Sequence, residues 1–196
     1  MKSKDWVNRQ RKDFFVNKAK IDGYVSRAAY KIIEIENKYK LIKNAKYILE
    51  LGSSPGGWSQ AIIEFNPKIK ITGFDILDMK YNHPNFTFYK EDFLSYNYKN
   101  FPHKFDLILS DIAPNTTGHK STDHLRIASI LESIIFIIDQ IANDKSSFVF
   151  KIWKGNQESM IINNLRRKFK KISYFKPKSS RAESSEIFIV AEKFIT

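Results

Sequence analysis

The sequence predicts an α/β fold in which a mostly parallel sheet of seven strands carries helices on both faces. Three observations lead there. Short apolar runs alternate with stretches of helical spacing through the centre of the chain, and that alternation calls for parallel strands joined by helical crossovers. The first apolar run ends in a glycine-rich turn, Gly52-Ser-Ser-Pro-Gly-Gly. Four other runs end in an ionisable residue, and in an open sheet of this kind ligands bind outside the carboxyl ends of the strands.

The elements follow in order. Residues 1–40 read as a helical preface, with Ser26 as N-cap of a helix over Arg27–Glu36. Tyr47–Leu51 is the first strand and Trp58–Phe65 has helical spacing. Lys70–Phe74, Phe86–Tyr89 (bounded by Pro84-Asn85) and Phe105–Ser110 are strands. Ile127–Ala142 is the longest helical pattern, with isoleucine at 127, 130, 134, 137, 138 and 141. Ser147–Phe150 is a strand, Met160–Phe169 a helix, and Ile172–Phe175 and Ile187–Ala191 the last two strands. The polar stretch Thr116–Asp123 reads equally as a surface loop or as a lid over a site. All of this fits one domain, 1–196, with a basic preface over 1–45 and the sheet with its helices over 46–196.

The 196 residues suffice for one core. An apolar share of 42% with 28% charged residues is that of a soluble globular chain. The absence of cysteine excludes disulfides, thiolate metal sites and a cysteine nucleophile. No stretch is apolar enough to span a membrane, and residues 1–20 are too charged for a secretory signal. The four histidines, at 83, 103, 119 and 124, have no metal-ligand spacing, so no metal is expected. The net charge of +12 is unevenly spread. Residues 1–46 hold 13 Lys/Arg against 5 Asp/Glu, and residues 166–196 hold 9 against 3, while the centre holds 11 against 13. Basic ends on a near-neutral centre are the footprint of a nucleic-acid binder. The competing reading is a lysine-rich, A/T-biased coding sequence that favours solubility alone.

The strand ends sharpen the reading. The second strand runs into Asp75, the third into Asp92, the fourth into Asp111 and the fifth into Lys151. Small residues after the first strand let a ligand approach the backbone at a helix N-terminus. Asp75 is placed to accept the ribose hydroxyls of a nucleoside. The turn lacks the Gly-x-Gly-x-x-Gly pattern, and Pro55 removes an N–H that would hold pyrophosphate, so a dinucleotide is disfavoured.

Four segments carry a resemblance. Ser26-Arg-Ala-Ala-Tyr-Lys, Glu50-Leu-Gly-Ser-Ser-Pro-Gly-Gly-Trp-Ser-Gln, Ser110-Asp-Ile-Ala-Pro-Asn and Ser179-Ser-Arg-Ala-Glu-Ser-Ser-Glu resemble, in order and from about Trp6 to the C-terminus, the FtsJ (RrmJ-like) ribosomal RNA 2′-O-methyltransferases. The resemblance implies a Rossmann-like methyltransferase sheet using S-adenosylmethionine (AdoMet). The family's Lys-Asp-Lys-Glu tetrad falls on Lys31, Asp111, Lys151 and Glu186. Its AdoMet contacts fall on Gly52, Ser53, Pro55, Gly56, Gly57, Trp58, Asp75, Ile76, Asp92, Phe93 and Asp111. Lys151-Ile-Trp-Lys-Gly-Asn-Gln looks closest to the mitochondrial large-subunit branch, which implies a uridine ribose in large-subunit rRNA, a mitochondrial location (a cytoplasmic one otherwise) and a monomeric enzyme acting on rRNA or the large ribosomal subunit. A tRNA-directed branch with the same tetrad, and a non-catalytic RNA-binding assembly factor, are the alternatives.

The residues alone speak less plainly. Lys31 shares a helical stripe with Arg27, Glu34 and Lys38, which by itself reads as a solvated face. Glu186 opens an apolar strand, where a carboxylate is ordinarily just exposed. Lys151 closes a buried strand, so desolvation and Lys31 would lower its proton affinity while Asp111 and Glu186 would raise it. The general-base role of Lys151 rests on the resemblance.

Overall fold

The computed structural model describes residues 11, 13–113, 118–153 and 158–195. Residues 114–115 of the motif after the fourth strand, 116–117 of the polar stretch and 154–157 of the Lys151 motif lie outside them, as does Trp6. The preface supplies helix α1 (Phe14–Asp22) and helix α2 (Ala29–Tyr39). Strand β1 (Tyr47–Leu51), helix α3 (Gly57–Phe65), β2 (Lys70–Phe74), β3 (Phe86–Tyr89) and β4 (Phe105–Ser110) follow. Helix α4 (Lys120–Ile141), β5 (Ala142–Trp153), helix α5 (Glu158–Arg166), β6 (Phe169–Phe175) and β7 (Glu186–Phe194) complete the chain.

The seven strands form one sheet in the order β3-β2-β1-β4-β5-β7-β6. β1 to β5 are parallel, and β7 enters antiparallel between β5 and β6. The alternation of side chains along central strands sorts the core into two layers. Ile48, Leu107, Leu109, Val149, Phe188 and Val190 face α2 and α3; Leu49, Ile108, Phe148, Phe150 and Ile189 face α4 and α5. No helix among the described residues is long and apolar enough to cross a membrane.

Several expected boundaries move. Ala28, not Ser26, caps α2, and it does so without a side-chain hydrogen bond. The Ser26 hydroxyl is instead buried, where a Cβ on Gly57 would meet it. α4 begins at Lys120, so the second half of the polar stretch 116–123 is its first turn rather than loop. β5 starts at Ala142, directly after α4, and not at Ser147. Its first residues form an irregularity in which Lys145 takes φ 65 and the pairing with β4 shifts register. Side chains stitch it down: Asn143 Nδ2 donates to Asp106 Oδ1 (2.7 Å) and Ser146 Oγ to the Phe105 carbonyl (2.7 Å). A polar run can thus remain attached to the sheet, which alternation of apolar residues does not reveal.

Candidate active site

Three of the four expected tetrad residues come from the same edge of three neighbouring strands. Asp111 follows the end of β4, Lys151 lies near the end of β5, and Glu186 opens β7. Because β7 is antiparallel, its start lies at the carboxyl edge of the parallel strands; Glu186 pairs with Trp153 and Phe188 with Lys151. Lys151 has the parity of Val149, and Glu186 that of Phe188, so both point toward the layer of α2 and α3. Lys31, in the first turn of α2, reaches them from above.

The four groups alternate in charge. Lys151 Nζ donates to Asp111 Oδ1 at 2.9 Å and to the Asp111 carbonyl at 2.6 Å. Lys31 Nζ stands 3.5 Å from Asp111 Oδ1 and 3.0 Å from Glu186 Oε2. Lys151 is 5% exposed, and such burial of a charge requires partners of this kind. Burial pushes the Asp111 carboxyl up, but Lys151 and Lys31 outweigh it and hold the group below the usual carboxylate range. Burial pushes Lys31 down, but Asp111 and Glu186 outweigh it and hold the ammonium above its ordinary value. Lys31 therefore stays protonated through neutral pH.

From Arg27 to Glu34 the stripe is not a solvated face, whereas Lys38 at its end is exposed. Arg27 hydrogen-bonds Asp13 and the Ser179 carbonyl, and Glu34 accepts from the backbone N–H groups of Lys178 (2.6 Å) and Ser179 (2.8 Å). Lys38 lies over the rings of Tyr39 and Phe175.

Asp111 also lines a cavity of about 410 Å³ beside β1, β2 and β4. Of the expected cofactor residues, Gly52, Asp75, Ile76, Asp92, Phe93 and Asp111 line it. Asp75 is fixed by two backbone donors, Ser54 N and Leu77 N, each at 2.9 Å. Asp92 caps the short turn at Phe93–Ser95. Gly52 takes φ +75, and a Cβ there would lie 2.8 Å from Ile112 N, so only glycine brings β1 this close to the Asp111 segment.

Ser53, Pro55, Gly56, Gly57 and Trp58 lie outside this lining. Ser53 is buried, Pro55 follows a cis peptide bond, and Gly56 (φ +106) packs against Tyr81 and Met79. Trp58 is buried with Nε1 donating to the Ala28 carbonyl at 2.9 Å, and Gln60 accepts from Val25 N and donates to the Gly23 carbonyl. This half of the glycine motif therefore docks the preface and seats Lys31.

Ser54, Phe74, Leu77, Glu91, Leu94, Ile112, Ala113, Ile130 and Ile134 also line the cavity and were not expected there. Ile130 and Ile134 were legible only as a helical face. Glu50 likewise had no role legible in the sequence. The Glu50 carboxyl is buried under the glycine turn, accepts from Ser59 Oγ, and is pushed up to about 8, by burial first and by Asp111 and Asp75 beyond that.

The lining has a distinct chemistry. Asp75, Glu91, Asp92 and Asp111 contribute four carboxylates, and among the lining residues none is lysine or arginine. Ile76 and Leu77, 65% and 62% exposed, leave apolar surface open at its rim. Such a cleft repels phosphate and complements a nucleoside bearing positive charge.

The FtsJ-like methyltransferase family model matches residues 24–194. The chain belongs to this family. It is 42% identical over 202 residues to ribosomal RNA large subunit methyltransferase E of Anaplasma phagocytophilum, an alignment that covers 98% of this chain and 81% of that protein. To the enzyme of the same name from a Wolbachia of Brugia malayi it is 38% identical, covering 100% and 91%. Among solved structures, one assigned as a ribosomal RNA methyltransferase from Plasmodium falciparum superposes with a TM-score of 0.76 at 33% identity, covering 87% of this chain and 98% of that one. The FtsJ-like assignment expected from the four motifs is thereby established, as is the Rossmann-like methyltransferase sheet. The mitochondrial sub-branch finds no support among these relatives, of which the two curated enzymes are bacterial.

Proposed function

We propose that this FtsJ-like enzyme methylates the 2′-hydroxyl of a ribose, a uridine in our reading, in large-subunit ribosomal RNA, with AdoMet as methyl donor. The observation that carries the proposal is that Asp111 belongs both to the acidic nucleoside cleft and to the Lys-Asp-Lys-Glu chain. A methyl donor in the cleft and a hydroxyl at the lysines would meet at one carboxylate. The names of the curated relatives support large-subunit rRNA as the substrate class.

AdoMet supplies an electrophilic methyl group on a positively charged sulfur. The residues present fit it: Asp75 has free lone pairs for ribose hydroxyls beside its two backbone donors. Ile76, Leu77, Phe93 and Leu94 offer apolar cover for a purine, and the four carboxylates complement the cationic charge. The work of the tetrad is to hold the substrate hydroxyl and take its proton. Lys31, kept charged by two carboxylates, serves as a fixed cation for the ribose-phosphate. We assign the proton acceptor to Lys151 on the family resemblance: as the neutral amine, with its two N–H groups donated to the Asp111 carboxylate and carbonyl, Nζ keeps a lone pair for the hydroxyl proton and becomes the ammonium as that proton arrives. Asp111 fixes the direction of that nitrogen, and Glu186 fixes Lys31.

The test is transfer of label from tritiated AdoMet to large-subunit rRNA, free and in assembled subunits, against tRNA, followed by alkaline hydrolysis. Label in an alkali-resistant dinucleotide from large-subunit rRNA supports the proposal. Transfer to tRNA alone would move the substrate class, and no transfer to any RNA would favour a non-catalytic assembly role.

A further inference from the structure

Glu186 is held on both of its oxygens. Lys31 Nζ donates to Oε2 at 3.0 Å, and Ser180 Oγ donates to Oε1 at 2.8 Å. Its backbone N–H is bound as well, by Ser184 Oγ at 3.2 Å. A carboxylate gripped from two sides loses its freedom to rotate. Ser180 is itself anchored. The segment 178–180 between β6 and β7 is drawn onto α2 by the Glu34 carboxylate, which takes the N–H groups of Lys178 and Ser179. Arg27 takes the Ser179 carbonyl, and Ser180 N closes a turn onto the Pro177 carbonyl at 3.0 Å. Ser179 is fully buried and Ser180 is 8% exposed. Helix α2 therefore does two things at once. It presents Lys31, and one turn further on, through Glu34, it fixes the strap whose serine holds the partner of Lys31.

We infer that Ser180 and Glu34 are positioning residues of the reaction, acting only through Glu186 and thereby setting where Lys31 sits. This rests on the proposed methyl transfer and deepens it. Neither residue is among the lining of the nucleoside cleft, so neither is expected to alter the binding of AdoMet.

The test is a double-mutant cycle on the full-length protein. Single-turnover methyl transfer to large ribosomal subunits is measured for wild type, Ser180→Ala, Glu186→Ala and the double variant. Loss of one charge-assisted hydrogen bond lowers the rate of Ser180→Ala on the order of tenfold, with AdoMet affinity unchanged by calorimetry. Ser180→Thr restores the rate, since it keeps the hydroxyl. In the Glu186→Ala background, Ser180→Ala and Glu34→Gln have no further effect, because the group they position is gone. The same four proteins compared by thermal unfolding give a readout independent of the reaction: Ser180→Ala lowers the midpoint only where Glu186 is present. Equal effects with and without Glu186 in both measurements, or a wild-type rate in Ser180→Ala, overturn the inference. A wild type that transfers no methyl to any RNA would defeat the proposed function, and the unfolding cycle would still decide whether Ser180 holds Glu186.

Discussion

Glu50 lies in the middle of β1 with its carboxyl buried against α3, and Ser59 Oγ is its hydrogen-bond donor. Burial pushes its pKa up to about 8, from an ordinary value of 4.5. The folded protein therefore holds this proton more tightly than the unfolded chain does. The sign follows directly: stability falls as pH rises from about 4.5 toward 8, and is lowest above that. Glu50→Gln keeps an acceptor for Ser59 and removes the titration. Urea unfolding of the two proteins between pH 5 and 9 is expected to show wild type losing stability relative to Glu50→Gln, by an amount on the order of 4 kcal/mol at most. Parallel curves would mean that Glu50 is charged in the folded protein across this range, as it is in the unfolded chain, and would contradict the assignment. Residues of this kind are the hardest to read in a sequence. Glu50 sits inside Tyr47-Ile-Leu-Glu-Leu, and nothing local tells a buried acid from a solvated one. Asp111, by contrast, was legible because Ser110-Asp-Ile-Ala-Pro-Asn leaves a buried strand abruptly. Lys31 and Glu186 were legible only through the motifs, since their partner contacts span 155 positions of the chain.

Among the elements, the turn from β1 to α3 ties cleft and preface together. Gly52 at its start keeps β1 against the Asp111 segment, while Gly57, Trp58 and Gln60 at its far side hold residues 23–28. Gly52→Ala is expected to destabilise the fold by about 1–2 kcal/mol from the left-handed backbone alone. The Cβ would also press on Ile112 and displace Asp111, so AdoMet affinity is expected to fall. Denaturant unfolding with calorimetry checks both; an alanine variant within about 0.5 kcal/mol of wild type and of equal affinity would show that the approach of β1 to Ile112 is slack. The parallel strands and α3 were legible because alternation and length agree there. The start of β5 was not, because its polar residues are held by Asn143 and Ser146 side chains rather than by apolar faces. The antiparallel entry of β7 was not legible either, yet it decides that the first residue of that strand, Glu186, meets the last part of β5.

For the whole molecule, the charge pattern predicted an RNA surface, but the fold divides it. Lys176 and Lys178 lie in the segment between β6 and β7, at the tetrad edge. Arg167 and Lys168 lie in the turn that opens β6, at the opposite edge, and Lys168 pairs there with Asp139 near the end of α4. The two sets are close in sequence, but β6 runs between them and separates them by the length of the strand. Counterion release makes each phosphate contact visible in the salt dependence of binding. Lys178→Gln is expected to reduce the slope of log affinity for rRNA against log salt by about one. Arg167→Gln with Lys168→Gln is expected to leave it unchanged. The reverse order would place the RNA on the other edge of the sheet.

In the proposed reaction Lys151 takes the proton of the substrate hydroxyl while Lys31 remains a fixed cation. Single-turnover methyl transfer to large-subunit rRNA by Lys151→Ala and Lys151→Arg tests it most directly. Lys151→Ala is expected to lose ~10²–10⁴-fold in rate, the usual contribution of a general base, with AdoMet and RNA still bound. No rescue is expected in Lys151→Arg, because a guanidinium keeps its proton at any working pH. A Lys151→Arg enzyme that transfers methyl groups at the wild-type rate would contradict that role, and would reduce Lys151 to a positive charge that steadies Asp111.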